Sequence, residues 1–137
     1  MMMATSPETR LAQARLTTLE ALLPLALRKA RGKPLEAAVL NAMLDAQRAG
    51  AEISQRIDDR SITFAEATER LVAVHEARKA AVYKLPRSHP MVPILMEFIA
   101  ERGAQLAHLM RDRGDHVAAN MVLDGDRRMM AVLGILR

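Results

Sequence analysis

Histidines and carboxylates at helical spacing are the first residues in this chain that could do chemistry. His108 and Asp112 stand four apart, close enough on a helix for their side chains to meet. Glu97, Glu101 and Gln105 lie on nearby faces and extend them into a polar line. In a helical bundle such a line suggests a carboxylate-bridged pair of metal ions, which needs Glu-x-x-His on two helices and two further glutamates. No Glu-x-x-His occurs anywhere in the chain. His75-Glu76 opens like the zinc-protease motif, but Lys79 stands where the second histidine belongs. The line is therefore expected to be a solvated face with one i,i+4 pair. His89 and His116 are the other two histidines.

Nucleophiles offer no more. Ser6, Ser54, Ser61 and Ser88 fall at caps, turns or a polar face, and none has a glycine-rich elbow around it. Lys84 beside Tyr83 could suggest a lysine of lowered pKa, but a lysine snorkelling from a helix end accounts for it. Six glycines are scattered singly, so no phosphate-cradling loop is present. The absence of cysteine removes disulfides, thiolate zinc sites and cysteine nucleophiles together. No catalytic residue, metal ligand or cofactor site is expected, and the chain reads as a non-enzymatic protein.

Basic clusters carry the best functional signal. Arg28, Lys29, Arg31 and Lys33 form one; Arg78, Lys79, Lys84 and Arg87 form the other, with no acid between Arg78 and Arg87. Each belongs to the C-terminal end of a helix, where cations offset the helix dipole and satisfy free carbonyls. If the first and third helices run parallel, both clusters reach one end of a bundle and form a patch for phosphates or an acidic partner. A helix-turn-helix reading of Thr63-Phe64-Ala65-Glu66-Ala67 fails, because the positions that should read bases hold Phe, Ala, Glu and Ala.

Two apolar stripes must position these groups. Val39, Met43, Ala46, Gly50, Ile53 and Ile57 step by three and four, and Val92, Met96, Ile99, Gly103, Leu106 and Met110 repeat the pattern 53 positions later. That is the seam of a helix packed lengthwise on another. A glycine within a helix costs about 1 kcal/mol relative to alanine. Gly50 and Gly103 at equivalent seam positions suggest that a neighbouring backbone approaches closely there. The third and fifth helices do not resemble each other at the same offset, so a duplication of the chain is not the preferred reading.

Composition agrees with an all-α chain. Half of the 137 residues are hydrophobic, mainly Ala, Leu, Met, Val and Ile, with one Tyr, two Phe and no Trp. So few aromatics argue against single-stranded nucleic-acid binding through base stacking. No apolar run is long enough to span a membrane, and the first eight residues lack the pattern of a signal peptide, so a cytoplasmic protein is expected. The net charge of +4 is uneven: residues 1–34 carry six basic and two acidic side chains, 35–61 three and five, and 62–87 five and three.

The expected architecture is one domain over 6–137, a bundle of five to six largely antiparallel helices behind a disordered stretch 1–5. Ser6 caps the first helix, Leu16, Leu19, Leu23 and Leu27 form its stripe, Pro24 kinks or splits it, and Gly32 to Pro34 end it. The second runs from about Leu35 to Arg60. The third starts at Thr63 with capping-box spacing to Glu66 and turns Phe64, Ala67, Leu71, Val74, Ala81 and Leu85 inward. Three prolines in eight residues (Pro86, Pro90, Pro93) separate it from the fourth, which ends at Gly114. Asp115 caps the fifth, and Asp124-Gly125-Asp126 breaks the last segment in two. The tail from Met129 to Leu136 is apolar on nearly every face and is expected to be buried, in this chain or in a partner.

The function this implies is protein–protein interaction, as an adaptor, inhibitor or regulatory subunit, with a second copy of the chain among the candidate partners. The alternative is a nucleic-acid-associated regulator that contacts phosphates through the clusters at 28–33 and 78–87. No membrane partner is expected.

Overall fold

The structure, a computed structural model, describes residue 21 and residues 23–134. All regular structure among them is helical: α1, of which residues 23–29 are described, then α2 (Pro34–Asp58), α3 (Phe64–Val82), α4 (Met91–Asp112) and α5 (His116–Val132). The expected disordered stretch 1–5, the cap at Ser6, and the stripe positions Leu16 and Leu19 lie outside the described residues. Residues 23–29 are helical, so Pro24 lies within a helical stretch, with one backbone donor missing from that turn.

Local chemistry sets the helix ends. Gly32 takes φ +85° after α1, and Pro34 opens α2, where a missing N–H costs nothing. Arg60 turns the chain with φ +60°. Thr63 then caps α3, its hydroxyl accepting from the Glu66 N–H at 3.1 Å. Gly114 reverses the chain after α4 with φ +83°, and Asp115 caps α5 by accepting from the Ala118 N–H at 3.1 Å.

The helices pack in chain order, α2 on α3, α3 on α4 and α4 on α5. Contacts at the ends fix their directions. His89, just before α4, hydrogen-bonds Glu36 near the start of α2 at 2.9 Å, so α2 and α4 run parallel. Arg113, just after α4, sits 4.4 Å over the ring of Phe64 at the start of α3. Arg111 donates to Asn120 near the start of α5 at 2.9 Å. Thus α4 runs antiparallel to both α3 and α5, and the described helices form an all-α bundle.

Both apolar stripes face inward. Val39, Met43, Val92, Met96 and Ile99 are at most 1 % exposed, and Leu106 and Met110 are buried with them. The core nevertheless has two parts. A larger cluster at one end gathers Leu40, Val82, Leu85, Phe98 and Met129 around the stripe residues. A smaller one at the other end holds Leu106, Ala107, Met110 and Ala119. Between them the helices bury polar side chains.

The last helix departs from the sequence reading. Asp124-Gly125-Asp126 does not break it: α5 is continuous through all three. Asp126 is 4 % exposed and partnered across the bundle, so it acts as an interior residue rather than a cap. The tail is also less buried than its pattern suggests. Met129 belongs to the core, Met130 and Leu133 pack partly against it, and Val132 is 57 % exposed. Ile135 and Leu136 lie outside the described residues.

Candidate functional site

The eight cations expected to share one surface divide into two groups. Arg28, Lys29, Arg31, Lys33, Lys84 and Arg87 are exposed. Arg78 and Lys79 are not; they are 6 % and 8 % exposed and belong to the interior. This corrects the surface assignment of those two residues, and the reason is helical geometry. The inward stripe of α3 runs through Ala67, Leu71, His75, Arg78 and Val82, so Arg78 falls under the bundle, with Lys79 beside it.

The exposed group does collect at one end. Lys33 Nζ lies 4.0 Å from Glu36, Glu36 holds His89, and His89 is two residues beyond Arg87. The C-terminal ends of α1 and α3 therefore stand at the same end of the molecule. Beside them α1, α2 and α4 enclose a groove of about 340 Å³. Its walls are almost entirely carbon, from Leu23, Ala30, Leu40, Leu95 and Phe98, and Lys29, Lys33 and Glu36 supply its charge. Ile94, 57 % exposed, adds apolar surface to it.

The interior group forms a polar layer between the two core clusters. His75 Nε2 stands 2.8 and 2.9 Å from the two carboxylate oxygens of Asp126. A carboxylate only accepts, so Nε2 carries the proton and donates. Lys79 Nζ lies 3.2 Å from the same carboxylate and 3.4 Å from Glu76. The imidazole and the ammonium together satisfy a charge that could not be buried alone.

Gly103 makes this layer fit. A Cβ there would fall on Asp126 Oδ2 and lie 3.1 Å from the ring of His75. Gly125 gives similar room to Lys79, whose Nζ is 3.4 Å from where its Cβ would stand. At Gly50 the only neighbour within 4 Å of an added Cβ is Arg78 Nη2, at 3.8 Å. The two seam glycines are thus unlike each other, and neither marks the close backbone approach expected from the sequence. Gly103 is emptied for two polar side chains, and Gly50 faces open space.

That open space is a cleft of about 300 Å³ between α2, α3 and α4. Gln47, Gly50 and Ser54 line it from α2; His75 and Arg78 from α3; Arg102, Gln105, Leu106 and Leu109 from α4. Phe98 lies beneath the two guanidinium groups, 5.9 Å from Arg78 and 5.7 Å from Arg102. Burial pushes the Arg78 guanidinium down to about 10, and it lowers Arg102 as well. Among the described residues, the buried His75 Nδ1 and Arg78 Nε of this wall have no hydrogen-bond partner.

The polar line on α4 is dispersed. His108 and Asp112 approach to 3.6 Å as an exposed pair, while Gln105 turns into the cleft. Among the described residues no group of three or more His, Asp or Glu side chains is placed to hold a metal ion. Nor is any described helix long and apolar enough to cross a membrane. Neither the known protein families, nor the curated proteins, nor the solved structures offer a match to this chain.

Proposed function

We propose that this chain is a non-enzymatic interaction protein that holds an amphipathic helix of an acidic partner in the α1–α2–α4 groove. The observation that carries this reading is the groove itself: carbon-walled, about 340 Å³ and lined in part by exposed Ile94. Concave apolar surface of this kind suits the apolar face of a helix, anchored every three or four residues.

The charge around the groove favours one occupant. Arg28, Lys29, Arg31, Lys33, Lys84 and Arg87 are exposed at this end, while Glu36 is occupied by Lys33 and His89. A second copy of the chain would bring six like charges against six, whereas an acidic partner complements them. The phosphate-binding alternative retains those six cations but loses Arg78 and Lys79 to the interior.

A photo-crosslinking side chain at Ile94, introduced into the full chain in its native cells, tests the reading. It should capture one dominant protein, through a segment with apolar residues at helical spacing flanked by Asp and Glu. The same probe at Val117, 73 % exposed at the far end of α5, should not. Equal capture from both positions, or labelling without a dominant partner, overturns the proposal. Capture abolished by nuclease would favour the phosphate-binding alternative, and self-capture would identify a homodimer.

A further inference from the structure

The cleft between α2, α3 and α4 contains a charge that no described residue balances. Asp126 is matched by Lys79 and by the Nε2–H of His75. Arg78 has no such match: among the described residues it makes no hydrogen bond and no ion pair, and its one contact with a charge-sensitive group is the face of Phe98. A ring face attracts a cation, but it replaces only part of the hydration a guanidinium gives up on burial. Buried guanidinium groups are normally paired with carboxylates or phosphates, in the two-pronged geometry their fork presents. Here the fork lines a cavity instead.

We infer that the α2–α3–α4 cleft is a binding site for small organic oxyanions, with Arg78 pairing the anionic head. Arg102 brings a second guanidinium to the same wall, also over the ring of Phe98. His75 Nδ1, also in that wall, has no hydrogen-bond partner among the described residues. With Nε2–H on Asp126, the neutral ring leaves Nδ1 as an acceptor for an O–H or N–H on the ligand. Gln47, Gln105 and Ser54 are neutral groups for the remaining polar atoms of a ligand, and Leu71 and Leu109 are apolar walls for its body. The volume of about 300 Å³ suits a compact molecule of one ring or a short chain. Gly50 opens the α2 side, since only Arg78 Nη2 comes within 4 Å of a Cβ placed there.

A carboxylate and a phosphate monoester share the required head, so benzoate, phenyl phosphate and the neutral benzamide serve as probes. Titration of the full chain by calorimetry should show saturable one-to-one binding of at least one of the two anions and none of benzamide. The tighter of the two identifies the head group. Arg78→Met should weaken that binding at least tenfold, the loss expected for one charge-assisted pair. Gly50→Leu should abolish it by filling the cleft, and it keeps the question decidable if the Arg78 variant does not fold. Arg128→Met, on the exposed face of α5, should bind like the parent. Three results overturn the inference: no binding of either anion up to about 10 mM, beyond the millimolar range of a weak site; benzamide binding as well as benzoate; or undiminished affinity in both cleft variants.

Discussion

Gly103→Ala is the smallest change that tests the polar layer. The new methyl group would fall on Asp126 Oδ2 and press on the His75 ring at 3.1 Å. The carboxylate must move, and it is held by His75 on one side and Lys79 on the other. Each of these bonds involves a charged group and contributes about 1.5–3 kcal/mol. Losing both, less the gain of about 1 kcal/mol for replacing a helical glycine by alanine, leaves a net loss of roughly 2–5 kcal/mol. Gly50→Ala should do the opposite. Its methyl meets only Arg78 Nη2 at 3.8 Å, an ordinary contact, so the helix-forming gain of up to about 1 kcal/mol survives. Urea unfolding of the two variants, read from midpoints at constant slope, measures both numbers. Adding Asp126→Ser to the Gly103 variant completes a double-mutant cycle. With the carboxylate gone, Gly103→Ala should become neutral or stabilising, apart from a small penalty at the His75 ring. A Gly103 variant as stable as the parent, or an equal cost with and without the carboxylate, would refute the account.

Four further outcomes follow from the same geometry. Arg78→Met should raise stability by about 1–3 kcal/mol, since burial pushes the guanidinium down to about 10 and an apolar side chain of similar length avoids that cost; a destabilised variant would make Arg78 a structural cation instead. Ile94→Glu, at a position 57 % exposed, should leave the unfolding midpoint within about 0.5 kcal/mol of the parent while abolishing partner capture; unaltered capture would move the docking surface elsewhere. The Asp59 carboxyl is held below its ordinary 3.8 by the hydroxyl and then the backbone N–H of Ser61, so its stabilising effect is full above that value and fades as pH falls through the lowered one; carbon NMR of Ser61→Ala should show its midpoint moving up, and an unmoved midpoint contradicts the assignment. Met129→Ala should cost about 2–5 kcal/mol because Met129 is 3 % exposed in the larger core cluster, whereas Val132→Ala should be nearly silent; equal effects would mean the tail packs differently.

The all-α class, the order of the helices and most of their ends were legible because local chemistry decides them. Thr63 and Asp115 cap where their spacing says, Gly32 and Gly114 take the left-handed turn, and the two three-four stripes are the buried faces. The polar layer was not read, although the sequence does contain its trace. An inward list of Phe64, Ala67, Leu71, Val74, Ala81 and Leu85 jumps seven residues after Val74, and a helix cannot skip two turns on its packed face. The position that must fill the gap is Arg78, with His75 one turn before it. In α5 the buried residues Ala119, Asp126 and Met129 step by seven and three, so Asp126 occupies a seam position too. Hydrophobic patterning treats a charged residue at such a point as a break or a surface, which is how Asp124-Gly125-Asp126 came to read as a helix end. Only the partner settles it: a carboxylate belongs inside when an imidazole and an ammonium from another helix meet it.

Those partners also bear on how the helices choose one alignment. The stripes alone permit α5 to slide along α4, because apolar side chains of similar size follow one another at each turn. The polar layer removes that freedom. Asp126 fits against α4 only where Gly103 leaves space for it, with His75 and Lys79 of α3 within reach. Shifted by one turn, the carboxylate would meet Ile99 or Ala107, buried residues that offer no donor, and would lose its partners on α3. An unpaired buried carboxylate costs several kcal/mol, comparable to the whole margin of a small domain. The same residues that interrupt the apolar core therefore set the register of α3, α4 and α5, and that register places Arg78 and Arg102 over Phe98 at the wall of the cleft.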